Sequence, residues 1–116
     1  MPRRRAVSLA LASLSLSAAF LLAAALPLAA EEPAKIFARS CAPCHGKDGK
    51  PSAVFARQGV KDFTAPAWQK TTGDAQIEKT IREGKQGTMM ASFANQLSAE
   101  ETKGLVAFIR KLGAKK

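Results

Sequence analysis

Cys41-Ala42-Pro43-Cys44-His45 is the stretch on which the reading of this chain turns. Two cysteines three residues apart on a helical turn, followed at once by an imidazole, have the spacing of covalent haem attachment. Each sulfur can form a thioether with one vinyl group while the histidine reaches the iron from the same side. Two other chemistries use Cys-x-x-Cys. A closed zinc site takes four Cys or His ligands, and beyond Cys41, Cys44 and His45 the 116-residue chain has no further Cys or His. A thioredoxin-like redox pair belongs beside a βαβ pattern, and residues 31–116 contain no strand-like alternation of apolar and polar side chains. Covalent haem c, one per chain, is the reading that remains.

Haem iron bound by His45 needs a sixth ligand. The chain has no second histidine, and apart from Met1 its only methionines are Met89 and Met90, in a loop between two predicted helices. Pairing Met with His is a recognised ligation that raises the reduction potential. Lysine or an open position are the other possibilities.

Outward from the motif, three helices are expected. Pro33 to Ser40 begins with a proline tolerated in a first turn and carries Ile36 and Phe37. Asp74 is placed to cap a helix bearing Ile77 and Ile81, with Gly84 at its exit. Ser98 and Glu101 form a capping box ahead of Leu105, Phe108, Ile109 and Leu112, and Gly113 is placed to end that helix. Gly46, Gly49, Pro51, Gly59, Pro66 and Gly73 leave room between for one or two helical turns. The expected fold is all-α, three main helices plus short turns around one haem. The core candidates are Ile36, Phe37, Val54, Phe55, Phe63, Ile77, Ile81, Phe93, Leu97, Leu105 and Phe108. So small a domain is expected to need the covalent cofactor as the centre of its core.

Residues 1–30 have another character. Arg3, Arg4 and Arg5 precede a run of Ala, Leu and Ser without an acidic residue, and the chain turns polar at Glu31 and Glu32. This is the pattern of a secretory signal peptide, with cleavage expected after Ala30 and the periplasm as destination. An uncleaved anchor is the rival, diluted by four serines and Pro27. The domain at 31–116 keeps 15 Lys plus Arg against 9 Asp plus Glu. Its lysines, Lys47, Lys50, Lys61, Lys70, Lys79, Lys85 and Lys103, can steer it to an acidic surface on a reductase, oxidase or dehydrogenase. Nucleic acid is disfavoured by export and by the lack of basic-aromatic interleaving.

From residue 33 to residue 113 the chain resembles the class I c-type cytochromes, exported monohaem proteins. The resemblance rests on Phe37 ahead of Cys-Ala-Pro-Cys-His-Gly at 41–46, Gly-Thr-Met-Met-Ala-Ser-Phe at 87–93, and Leu-Val-Ala-Phe-Ile-Arg-Lys-Leu at 105–112. It implies the cytochrome c fold, a Phe37–Phe108 contact, and Met90 as iron ligand with Met89 as second choice. In the family the ligating Met commonly precedes a Pro with an aromatic soon after. Phe93 suits Met90, but Ala91 stands where the proline would be, which frees the loop entropically. The family also places a Gly where the first and last helices cross, and this chain offers Pro33 and Ala34 instead. Trp68 matches a tryptophan whose indole N–H bonds a haem propionate, with a half-buried core aromatic as the plain alternative. The Pro51 carbonyl is a candidate to accept the second ring N–H of His45, although its offset is short.

With both axial positions filled by protein, the expectation is electron transfer by a monomeric carrier rather than an enzyme. The alternatives are a gas-binding or peroxidase-like protein with a labile Met, and a fixed relay subunit of a membrane complex. Mass spectrometry of the exported protein is expected to give a chain beginning at Glu31; a mass that includes residues 1–30 favours the anchored relay.

Overall fold

The structure, a computed structural model, describes residues 28–115; residues 1–27 of the expected leader lie outside them. Among the described residues every regular element is helical. Pro33 opens the first helical run where its missing N–H costs nothing. The run comprises α1 (Pro33–Ile36), a π-helical segment (Phe37–Cys41) and α2 (Ala42–His45). Pro43 accounts for the π-helical segment. It offers no N–H to the Arg39 carbonyl, and its ring would collide with that carbonyl in an α-helix. The turn widens instead, and the Ala42 N–H donates to the Phe37 carbonyl five residues back. Gly46, at φ 81°, ends the run directly after His45, and a Cβ there would strike the Lys50 carbonyl.

The Gly- and Pro-rich stretch holds two short helices, α3 (Ala53–Arg57) and α4 (Pro66–Thr71). They are followed by α5 (Asp74–Glu83) and α6 (Ala99–Ala114). The capping box of α6 is formed, with the Ser98 Oγ accepting from the Glu101 N–H at 3.1 Å and Glu101 Oε2 from the Ser98 N–H at 2.9 Å. Glu101 Oε1 also accepts from the Glu31 N–H at 3.0 Å, and Arg39 forks onto the Glu31 carboxylate at 2.7 and 3.0 Å. The start of the domain is thereby tied to the start of α6. The Arg39 fork holds the Glu31 carboxyl below the usual range, and the Glu31 and Ser98 N–H groups do the same for Glu101. With both values depressed on folding, this contribution is present at neutral pH and fades as pH falls through the lowered values.

Helix α6 is the surface on which α1, α4 and α5 assemble. Its stripe of Thr102, Leu105, Val106, Ile109 and Leu112 is buried, against Ile36 and Phe37 of the first run, Ile77 and Ile81 of α5, and Phe63. Thr102 is buried without cost because its hydroxyl donates to the Ser98 carbonyl at 2.9 Å. Phe37 meets Phe108 with ring centroids 5.1 Å apart. The small residue at the helix crossing is on the other partner: a Cβ on Gly104 of α6 would come within 3.0 Å of the Pro33 ring.

Three local expectations are corrected by tertiary contacts. Asp74 does not cap α5; Gly73 takes that place, and Asp74 Oδ1 accepts from Arg110 Nε at 2.6 Å. Val54 is 54% exposed rather than part of the core. Gly113 does not end α6, which runs on through Ala114. It is there because Gln69 lies over it: a Cβ would sit 2.5 Å from the Gln69 side chain. That amide is fixed, donating to the carbonyls of Phe63 at 2.7 Å and Ile109 at 3.0 Å and accepting from Arg110 Nη1 at 2.9 Å. Helix propensity alone makes Gly113→Ala stabilising by about 1 kcal/mol. Displacing Gln69 from several hydrogen bonds, each contributing about 0.5–1.5 kcal/mol, reverses the sign. Urea unfolding of the haem-loaded protein is expected to give a lower midpoint for Gly113→Ala than for the parent, and an equal or higher midpoint counts against this account.

Candidate functional site

One cleft of about 570 Å³ lies at the end of the first helical run, within the size range of cofactor sites. Ser40, Cys41, Cys44 and His45 line it, and so do Met89, Met90 and Ala91 from the loop between α5 and α6. Phe63, Ile81, Phe93 and Ile109 supply apolar surface, while Lys61 and Lys85 are exposed cations among its lining. Residues far apart in sequence are therefore brought to one concavity, including every cysteine and histidine of the chain and both expected thioethers.

His45 is the most tightly positioned of these. Its ring stacks on Phe63 with centroids 4.2 Å apart and planes 14° from parallel. Its Nδ1 lies 3.0 Å from the Lys61 carbonyl oxygen, an acceptor, so Nδ1 carries the proton and Nε2 is left free with its lone pair. Burial pushes the His45 pKa down, against a smaller opposing effect of the Lys61 carbonyl, which favours the neutral imidazole that binds metals. The acceptor is thus Lys61 rather than Pro51, which is buried but does not make this bond. A main-chain carbonyl carries no mark in the sequence, so nothing in the composition of residues 58–62 singled it out.

The cysteines suit thioethers better than thiolates. Both are free and half-buried, and burial pushes the Cys41 thiol up to about 11, with the neighbouring Cys44 adding to the rise. An environment that penalises a sulfur anion imposes no such penalty on a neutral sulfur ether. Among the described residues no cluster of three or more His, Cys, Asp or Glu is placed to hold a metal ion. The donor set therefore fits haem: two neutral sulfurs, an imidazole with a free Nε2, and thioethers within the same apolar cleft.

Trp68 does not line the cleft. It packs behind Phe63 with ring centroids 4.9 Å apart, which places it among the half-buried core aromatics. Met89 is 64% exposed while Met90 is half-buried. The Phe63 stack was missed as a site feature because its signal, a lone Phe among turn residues, reads only as core.

Comparison with known proteins agrees with this geometry. Residues 28–109 match the family model described as cytochrome c oxidase, cbb3-type, subunit III. The chain is 36% identical over 85 residues to the cbb3-type cytochrome c oxidase subunit FixP of Azorhizobium caulinodans, an alignment covering 73% of this chain and 28% of that protein. It is 33% identical over 87 residues to FixPc of Rhizobium leguminosarum bv. viciae, covering 75% of this chain and 29% of the relative. The chain thus spans little more than a quarter of the length of these curated relatives. Among solved structures, the KustC0563 c-type cytochrome superposes with a TM-score of 0.65 at 34% identity, over 71% of this chain and 98% of that one. Family match, helical architecture and superposition agree: the chain belongs to the c-type cytochromes, in the family of cbb3-type cytochrome c oxidase subunit III, a family that implies covalently bound haem c.

Proposed function

We propose that Cys41 and Cys44 hold the haem, that His45 and Met90 are its axial ligands, and that the domain passes single electrons between redox proteins in the periplasm. The observation that carries this reading is the single cleft shared by Cys41, Cys44, His45, Met89 and Met90. The bound group supplies one reversible electron at its iron. The chain does the rest. The Lys61 carbonyl and the Phe63 face fix the orientation of the His45 ring, so that its free Nε2 is directed without reorganisation. Apolar Phe63, Ile81, Phe93 and Ile109 exclude water and lower the local dielectric. Met90, half-buried in the cleft lining, would fill the position that a small substrate otherwise takes, which favours a carrier over a gas-binding or peroxidase-like protein. Trp68 backs the cleft wall through its contact with Phe63.

Lys61 and Lys85 at the cleft set the sign of the partner. An acidic docking surface on an oxidase, reductase or dehydrogenase would be drawn toward the side where electrons leave. The names of the curated relatives favour a second arrangement, in which this domain is a fixed relay within a cbb3-type oxidase. Among the described residues no helix is long and apolar enough to cross a membrane. Export to the periplasm rests on the pattern of residues 1–30.

Two experiments test the assignment. Replacing both cysteines, Cys41→Ala with Cys44→Ala, is expected to abolish haem retention by the polypeptide under acid–acetone extraction; haem that stays with the double variant overturns covalent attachment. Met90→Ala is expected to remove the near-infrared sulfur-to-ferric-iron band, lower the reduction potential and let the ferrous protein bind carbon monoxide, because a weaker donor replaces the thioether. Met89→Ala is expected to change all three far less, and the opposite pattern exchanges the two roles.

A further inference from the structure

The loop that carries Met90 is fastened to the carboxyl end of α5. A helix leaves its last carbonyls without partners, and here three of them are taken by this exit and the returning loop. The Gly84 N–H donates to Thr80 at 2.8 Å, the Phe93 N–H to Ile81 at 3.0 Å, and the Ser92 hydroxyl to Arg82 at 2.5 Å. The Ser92 oxygen also accepts from the Ala94 N–H at 3.3 Å. Inside the loop both main-chain polar groups of Met90 are held. Its carbonyl accepts from the Lys85 N–H at 2.9 Å, and its N–H donates to Thr88 Oγ1 at 3.1 Å, whose own hydroxyl donates to the Lys85 carbonyl at 2.7 Å.

Gly84 sits beneath this arrangement. At φ 72° it favours glycine, and a Cβ would lie 2.7 Å from the Met90 carbonyl oxygen, 2.8 Å from the Ser92 nitrogen and 2.9 Å from the Ala91 carbonyl carbon. These are main-chain atoms that cannot turn aside as a side-chain tip can. The missing side chain is what lets residues 90–92 lie directly on the helix end.

We propose that Gly84, Thr88 and Ser92 form a clamp that positions Met90 and keeps its thioether in the cleft, a task that Ala91 cannot perform through backbone stiffness. Proline would restrict the loop by narrowing its unfolded choices. The clamp restricts it by hydrogen bonds and close packing in the folded state. The three are positioning residues, acting on the iron only through Met90, and the proposal rests on Met90 being the axial ligand.

The test uses the haem-loaded full chain with Met90→Ala alongside Gly84→Ala, Thr88→Val and Ser92→Ala. Each clamp variant is expected to weaken the near-infrared sulfur-to-iron band, lower the potential, and raise the fraction of ferrous protein open to carbon monoxide by about threefold, the effect of losing one exposed hydrogen bond at the low end of its usual range. Thr88→Ser and Ser92→Thr keep the hydroxyls and are expected to restore all three readouts. Ser98→Ala, which removes the α6 cap and none of the hydrogen bonds made by residues 84–92, is expected to lower stability and leave band, potential and carbon monoxide binding unchanged. If Met90→Ala abolishes the band while Thr88→Val and Ser92→Ala leave all readouts at parental values, the clamp is refuted and the ligand assignment stands. Should Met90→Ala retain the band, the ligand assignment falls and the clamp with it. Thr88→Val and Ser92→Ala preserve the decision if Gly84→Ala does not fold.

Discussion

Phe37 is the contact through which the helices and the cleft are made one object. Its ring packs against Phe108 of α6 on one side, 5.1 Å between centroids, and toward Phe63 on the other, 6.2 Å. Phe63 in turn carries the His45 imidazole at 4.2 Å. Aromatic contacts of this kind are directional and large in area. The position of the imidazole is therefore set by α6 through two intervening rings, and the Lys61 carbonyl then fixes its rotation. A change in the α1–α6 crossing at Pro33 and Gly104 reaches the site through the same rings.

What could be read in the sequence follows how local each interaction is. The Ser98–Glu101 box and the Gly84 turn are closed within a few residues, so their residue types suffice to identify them. The Cys41, Cys44 and His45 spacing is legible for the same reason. Asp74 and Gly113 were legible only in part. Asp74 is an ordinary capping residue at an ordinary position, but Arg110, 36 positions away, takes its carboxylate. Gly113 has the identity of a helix stop and the environment of a packing site under Gln69. The Lys61 carbonyl was illegible altogether, because the main chain is the same at every residue. Pro51 was the nearest guess to an acceptor whose place depends on the whole path of residues 46–63.

The relatives place these observations in a functional setting without replacing them. A chain covering 28% of a FixP oxidase subunit shares with it a domain rather than a whole architecture. The KustC0563 cytochrome, matched over 98% of its length, is a protein of this domain's own size. The alignment thus takes in nearly all of one solved chain and a part of a longer subunit. The features particular to this chain are a cleft shared by two distant segments, an imidazole held by a main-chain carbonyl, and a methionine loop closed onto a helix end.

The π-helical segment at Phe37–Cys41 decides which way the residues on either side of it face. Successive residues of an α-helix advance by about 100° around its axis. The widened turn re-phases the run midway, so that Ile36 and Phe37 address α6 while Cys41, Cys44 and His45 address the cleft. The same residues wound as α-helix throughout would swing the motif by about 100°, away from Lys61 and Phe63. The wide turn is therefore what lets one helical run serve two neighbours, with Phe37 turned to α6 and Cys41 to the cleft.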